Sequence, residues 1–288
     1  MKRVSRSLAI AVLLLFTGLT AGAQSTTFST VDHDVNGAPQ NFVAPKVFQA
    51  AGPTAASIQS TVDAYRAALG QPNNGNATVP QAGGRREINW DGGGANTTTD
   101  APATPFNVFL NTRGAQFTTP GTGLSQAPPS GGLQGGLAVL FNNSSYGAIF
   151  HTFSPLRLFV PVGSNITDAL FFVPGSNGTL PARVTGFGAI FTDVDQPDGS
   201  GPGNKRGNRG ASTLIQYFGA DGRLLFSSFV PASPGDGNLS FFGIVFDDAR
   251  IARVRITTGN VALGPDDSKR QDVVAMDDFI YGEPQPLP

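Results

Sequence analysis

A series of short apolar runs, each closed by a glycine, proline or Asp-Gly turn, most constrains the fold of this chain. Two such runs in residues 212–230 flank the turn sequence GADG at residues 219–222, and Asp-Gly supplies the positive φ angles that tight hairpins need. In residues 251–257, Arg253 and Arg255 alternate with valine and isoleucine, as in a strand with one buried face. Strands at this spacing predict an all-β fold whose antiparallel sheets pack as a sandwich.

The composition agrees with many short strands joined by tight turns. The chain has 37 Gly and 22 Pro but also 22 Phe, whereas a disordered chain of this kind would lack the aromatic residues. Residues 120–136 are predicted to be a long Gly/Pro loop. The predicted strands are residues 85–91, 106–110, 115–118, 156–162, 169–173, 183–191, 212–218, 223–230, 239–246, 251–257 and 273–281.

One amphipathic helix is predicted before the strands, over residues 54–69. Its apolar residues recur at helical spacing and form a single stripe: Ile58, Val62, Tyr65 and Leu69. Thr54 can cap the start of this helix, and Gly70 ends it.

The chain divides into four predicted parts. Residues 1–23 form a signal peptide, and residues 24–84 form an N-terminal arm, the helix and a linker. Residues 85–283 form the sandwich domain, and residues 284–288 are a proline-rich tail. The sequence leaves open whether the arm and the helix pack on the sandwich.

The first residues predict export. Lys2, Arg3 and Arg6 precede an apolar run at residues 8–19, and a small-x-small cleavage signature ends at Ala23. The apolar run is shorter than the roughly 20 residues that a membrane-spanning helix needs. We therefore expect cleavage near Ala23, a secreted protein in the periplasm or outside the cell, and no stable membrane insertion afterwards.

Several runs occur in an order that resembles galactose-binding-like jelly-roll modules of secreted bacterial proteins. These runs are GFGAIFTDVD, TLIQYFGADGRLLFSSFV, FFGIVF, IARVRITTG and VVAMDDFIYGE. The resemblance covers residues 183–283, with residues 85–91 as a candidate first strand. It implies a jelly-roll sandwich, a structural calcium ion in many members and carbohydrate binding in some. Some of these proteins carry a Pro-Glu-Pro sorting tail; residues 284–288 do not match it, so we expect no sorting by that route.

Five aspartates are the candidate metal ligands. Asp193, Asp195 and Asp198 lie in the segment DVDQPDG, and Asp277 and Asp278 interrupt the last apolar run. Calcium takes six to eight oxygen ligands, and two neighbouring strand ends can direct several carboxylates at one ion. A proline at the third ligand position excludes an EF-hand. The alternative is that these aspartates are solvated strand ends and turns, where Asp is favoured for its local hydrogen bonds.

Trp90 and Tyr217 are the candidate ligand-binding aromatics. Exposed aromatic rings serve as stacking platforms for sugars, so either residue could line a glycan site. The alternation of Trp90 with Ile88 favours a core position for its ring instead.

Few residues are suited to catalysis. Cysteine is absent, His33 and His151 are the two histidines, and no serine lies in a G-x-S-x-G elbow. A catalytic triad and a histidine-rich metal site are therefore disfavoured. Glycoside hydrolysis needs a pair of carboxylates, which aspartates could supply. The net charge of −1, with no basic stripe, argues against nucleic-acid binding.

The sequence leads to one main hypothesis of function and two alternatives. The main hypothesis is a secreted, non-enzymatic sandwich module, stabilised by calcium, that binds a glycan or a component of the cell envelope. The first alternative is an exported carbohydrate-active hydrolase that uses paired aspartates. The second is a purely structural extracellular protein.

Overall fold

The computed structural model describes residues 32–33, 39–40, 44–92, 102–132, 134–195, 213–265 and 271–288. The predicted signal peptide and Asp198 lie outside these residues. Within this part of the chain, no helix is both long and apolar enough to cross a membrane.

Strands form most of the regular structure, and every pairing between them is antiparallel. The strands are β1 (Asp32–His33), β2 (Pro39–Gln40), β3 (Lys46–Gly52), β4 (Arg85–Ile88), β5 (Ala115–Thr118), β6 (Gly123–Ala127), β7 (Leu158–Val162), β8 (Ile166–Phe171), β9 (Ala182–Arg183), β10 (Gly186–Thr192), β11 (Leu214–Phe218), β12 (Leu224–Phe229), β13 (Leu239–Val245), β14 (Arg253–Thr257), β15 (Ala275–Gly282) and β16 (Gln285–Pro286). The helices are α1 (Ala55–Leu69), α2 (Leu110–Arg113), α3 (Gly136–Leu140) and α4 (Tyr146–Ile149).

Two antiparallel sheets pack in a sandwich-like arrangement. The larger sheet has seven strands in the order β3-β13-β10-β15-β7-β6, with β4 also paired to β15. The smaller sheet has five strands in the order β12-β11-β14-β8-β5. Phe187, Phe242 and Phe279 of the larger sheet share one buried core with Ile215 and Val254 of the smaller sheet. The protein is therefore all-β, as its turn spacing predicts.

The larger sheet contains residues from both sides of the predicted boundary at residue 85. Strand β3 lies before that boundary and pairs with β13 along its full length, from Lys46 opposite Val245 to Gly52 opposite Leu239. Helix α1 follows β3 and packs on the outer face of the same sheet, where Ile190 and Phe241 belong to its apolar cluster.

Tyr65 makes close contacts between helix α1 and the sheet. Gly188 and Gly243 lie directly opposite each other on β10 and β13. A Cβ atom added to either glycine would lie 2.9 Å from a ring carbon of Tyr65, so only glycine leaves room for the ring. The Tyr65 hydroxyl lies 3.3 Å from the carbonyl oxygen of Ile244, to which we assign its proton, and 3.4 Å from the carbonyl oxygen of Ile280. The four residues of the predicted stripe are the four buried residues of α1.

Two local predictions are wrong. The predicted loop 120–136 contains strand β6, which pairs with β7 although glycine and alanine have low strand propensity. Tertiary pairing therefore overrides propensity there. The predicted strand 106–110 is instead a turn that leads into α2, where Gly114 ends the helical turn with a φ angle of 66°.

A buried ion pair ties the end of β15 to β4 and to the loop between α1 and β4. Arg86 and Glu283 bind through two hydrogen bonds of 2.5 and 2.7 Å, and their side chains are 0% and 1% exposed. Arg86 Nη1 lies 2.8–3.0 Å from the carbonyl oxygens of Gly75, Ala77 and Thr112. Because both charges have several partners, the pair can be buried without an uncompensated charge.

We predict that Glu283→Gln lowers the free energy of unfolding by about 3–5 kcal/mol, because it leaves the Arg86 charge buried and uncompensated. Urea unfolding of the two proteins at pH 7 measures the difference. The matched control is Asp248→Asn, which removes an exposed ion pair with Arg250 and should cost less than about 1 kcal/mol. Equal losses in the two variants would contradict the prediction.

Candidate functional site

A β-bulge places both aspartates of the last strand on the outer face of the larger sheet. Between β10 and β15, Ala189 pairs with Phe279 and Phe191 pairs with Met276, so two residues on β15 lie opposite Ile190 alone. Met276 and Phe279 both point into the core. The two residues between them, Asp277 and Asp278, therefore lie together on the opposite side of the strand.

The two carboxyl groups are held by residues 150–157, a segment that crosses the outer face of the larger sheet. The Phe153 N–H group donates to Asp277 Oδ2 at 2.6 Å. Ser154 Oγ lies 2.7 Å from Asp278 Oδ1 and 3.3 Å from Asp277 Oδ1. Since one hydroxyl proton serves one acceptor, we assign the Ser154 proton to the closer oxygen, on Asp278. On the helix side, Arg66 lies 3.8 Å from Asp278 and binds Glu87 at 3.0 Å.

This arrangement favours a proton on Asp277. Burial raises the pKa of the Asp277 carboxyl group well above its ordinary value, and the neighbouring Asp278 charge raises it further. Burial also raises the pKa of Asp278, although its hydrogen bond from Ser154 and the nearby Arg66 charge act in the opposite direction. Asp277 is fully buried and Asp278 is 4% exposed. The burial of the carboxyl pair is therefore compensated by N–H and O–H donors and by the raised pKa of Asp277.

We predict that Asp277→Asn raises stability relative to the natural protein, and that this gain grows with pH. A carboxyl group with a raised pKa in the folded state stabilises the fold fully below its unfolded pKa of about 3.9, and this contribution is lost as pH rises through the folded pKa. The amide cannot ionise, so the variant avoids that loss. Urea unfolding at pH values from 4 to 8 measures the difference, with the exposed turn variant Asp221→Asn as control. A difference that stays constant with pH would contradict the prediction.

The two other predicted metal ligands that the structure describes, Asp193 and Asp195, do not join this pair. Thr192 pairs with Ala275, so Asp193 and Asp277 are three residues apart along the sheet, about 10 Å at the usual rise per residue. Asp195 Oδ1 accepts the Gly235 N–H group at 2.9 Å. No group of three or more His, Cys, Asp or Glu side chains that could hold a metal ion occurs among the described residues.

Calcium stays a prediction, and chelation tests it. If the protein holds a structural calcium ion, EDTA will lower the melting temperature by several degrees, because an ion bound only to the folded state stabilises that state. Added calcium will restore the original value. The control is EDTA saturated with calcium beforehand. An unchanged melting curve in excess free EDTA would contradict calcium binding.

Trp90 and Tyr217 both lie in the core. Trp90 is fully buried, its ring stacks on Phe159 with centroids 3.7 Å apart, and its Nε1–H donates to the carbonyl oxygen of Asp277 at 2.9 Å. Tyr217 is also fully buried, and its hydroxyl donates to the carbonyl oxygen of Phe187 at 3.2 Å. In these positions neither ring face is accessible to a sugar from solvent.

An open cleft of about 620 Å³ lies beside the start of α1 and residues 150–157. Its walls are mainly apolar and include Pro53, Pro128, Pro129 and Leu156, and the exposed His151 also contributes to them. The residues that line it include no carboxylate. The pair of carboxyl groups that glycoside hydrolysis requires is therefore not found in this cleft.

The outer face of the smaller sheet carries a different set of side chains. Along β5, β11 and β14, buried residues alternate with partly exposed ones, so one side of each of these strands faces outward. Asp168 of β8 lies on the same side, because it pairs directly with Arg255. We call six of the polar and aromatic side chains on that side the polar face. They are Gln116, Asp168, Gln216, Phe218, Arg253 and Arg255.

Register places these side chains in two adjacent rows across the sheet. In the first row, Asp168 pairs with Arg255, which pairs with Gln216. In the second row, Arg253 pairs with Phe218. Neighbouring strands are about 4.8 Å apart, so consecutive side chains in a row are in contact range. The rows therefore form one continuous surface.

Asp168 orients the two arginines. Arg255 binds it through Nε at 2.9 Å and Nη2 at 2.6 Å, and these hydrogen bonds raise the pKa of the Arg255 guanidinium. Arg253 Nη1 lies 3.4 Å from the same carboxylate. The Arg253 guanidinium also lies over the ring of Phe218, 4.1 Å from the ring centroid. Both guanidinium groups are thus held in place before any ligand binds.

The sequence indicates part of this face. The alternation of Arg253 and Arg255 with apolar residues predicts that both arginines point outward. Asp168 is missed because the predicted strand begins at residue 169, whereas β8 begins at Ile166. The continuation of the alternation back to Thr167, which is buried, is the signal that could have found it.

Comparisons of the chain with models of protein families, with curated proteins and with solved structures gave no match.

Proposed function

We propose that this chain is an exported, non-enzymatic sandwich module that binds a glycan or a component of the cell envelope through its polar face. The observation that carries the proposal is the preorganised arrangement of Asp168, Arg253 and Arg255 on an accessible sheet face. Export is supported by the charged and apolar segments that precede Ala23.

The chemistry of the polar face suits sugar hydroxyl groups. A hydroxyl group both donates and accepts hydrogen bonds, so a glycan site needs donors and acceptors side by side. Arg253 and Arg255 are donors, Asp168 is an acceptor, and the Gln216 amide is both. Phe218 adds an apolar ring next to these groups. An open sheet face fits an extended polymer better than a small molecule that needs an enclosed pocket.

The order of the strands supports a fold of the jelly-roll type within the proposal. Neighbours in both sheets come from distant parts of the chain, as β3 with β13 and β5 with β8. Such crossing between sheets is typical of the two Greek keys of a jelly roll. A galactose-binding-like module is the form of this fold that the sequence resembles.

The hydrolase alternative has less support. Among the aspartates that the sequence indicates, Asp277 is fully buried and Asp278 is nearly so. Both are occupied by donors from residues 150–157 and do not face the open cleft. A glycosidic bond must lie between two accessible carboxyl groups, which is why a binding role is favoured over hydrolysis.

We predict that the double variant Gln216→Ala/Phe218→Ala loses at least about tenfold in affinity for the glycan or envelope fraction that the protein binds, since it removes one polar and one stacking contact. Binding to an array of glycans and to isolated cell envelopes identifies the ligand, and titration gives the affinities. Gln59→Ala is the matched control, because it truncates a glutamine on α1, which packs on the larger sheet. Equal binding by all three proteins, or binding to none of the surfaces, contradicts the proposed function.

A further inference from the structure

We infer that the ligand of the polar face is an acidic polysaccharide, whose carboxylate groups bind Arg253 and Arg255. This inference rests on the proposed function and specifies the class of glycan.

The five strands of the smaller sheet carry one more positive charge than negative charges. Arg253 and Arg255 are the two basic residues of its five strands, and Asp168 is their single acidic residue. One carboxylate is therefore shared by two guanidinium groups. A second carboxylate, supplied by a ligand, would balance the charge of this surface.

The exposed fractions of Asp168, Arg253 and Arg255 also favour a ligand carboxylate at the two arginines. The exposed fraction is 12% for Asp168 but 31% for Arg253 and 39% for Arg255. The carboxylate therefore lies beneath, and the guanidinium groups extend outward from it. Each guanidinium has five N–H donors. Asp168 accepts from two nitrogens of Arg255 and one of Arg253, which leaves other N–H donors of both groups for a ligand.

The geometry favours a carboxylate over a neutral sugar. A planar guanidinium binds a carboxylate through two parallel hydrogen bonds, and such charge-assisted bonds are stronger than bonds to a hydroxyl group. A neutral sugar that covered the two arginines would remove water from them without supplying a negative charge, which is unfavourable. An acidic sugar compensates this loss. Phe218 holds the Arg253 guanidinium flat, so that less side-chain freedom is lost on binding.

The experiment compares two polymers that share a backbone and differ in charge. Polygalacturonate carries a carboxylate on each sugar, and its fully methyl-esterified form carries none. We expect the full-length protein to bind polygalacturonate at least about tenfold more tightly than the ester, because two charge-assisted contacts are lost with the ester. The affinity should also fall as salt concentration rises.

Variants locate the contact. Arg253→Gln and Arg255→Gln should each weaken binding to polygalacturonate about tenfold or more. Arg255→Lys keeps the charge but loses the bidentate hydrogen bond. Its affinity for polygalacturonate should therefore lie between the affinities of Arg255→Gln and the natural protein. Lys46→Gln removes an exposed charge from β3 of the other sheet and should bind normally. Melting curves check that each variant is folded.

The outcomes separate this inference from the proposed function. Equal affinity for the acid and its ester, with loss in Gln216→Ala/Phe218→Ala but not in the arginine variants, overturns the inference and leaves glycan binding intact. Binding to neither polymer nor to any glycan or envelope surface overturns both. Single-stranded DNA that binds as tightly as polygalacturonate through the same arginines would show a general site for polyanions and would overturn the assignment to an acidic glycan.

Discussion

The central strands of the larger sheet are buried on both faces, and much of the remaining structure follows from this constraint. Every residue of β10, β13 and β15 is buried. One face packs on the smaller sheet, so the other must be covered by α1 and by residues 136–157. Any polar side chain beneath that cover has to find its partners within it, because water is excluded. The contacts of Asp277 and Asp278 with residues 153 and 154 meet this requirement.

The two sheets therefore have different roles. The outer face of the larger sheet is used for stability, and its carboxyl groups are enclosed with their donors. The smaller sheet is buried on one side only, so charged and aromatic side chains can lie on its outward side. Asp168 illustrates the difference: it is mostly buried like Asp278, yet its two arginine partners extend toward solvent. A bound polymer could reach the second arrangement without disturbing the core.

Periodicity predicted the features that depend on one segment at a time. The stripe on α1, the Asp-Gly hairpin and the outward arginines of β14 are all local patterns. The pairing of β3 with β13 could not be predicted, because local sequence patterns do not indicate which distant strand a given strand pairs with. The bulge at Asp277–Asp278 depends on the pairing of β15 with β10. The space for the Tyr65 ring depends on two glycines from different strands. Asp168 was missed through an error of three residues in a strand boundary.

The pairing of β3 with β13, and of β4 with β15, has a consequence for the order of folding. In each case an early strand is completed by one that lies near the other end of the chain. The entropy of closing such long loops must be overcome before the contacts form, so folding is expected to be slow for a domain of this size. The larger sheet cannot close until the residues up to Gly282 are available. The apolar residues of β3 and α1 therefore stay uncovered until β13 is available, and β4 has no partner strand until β15 is available.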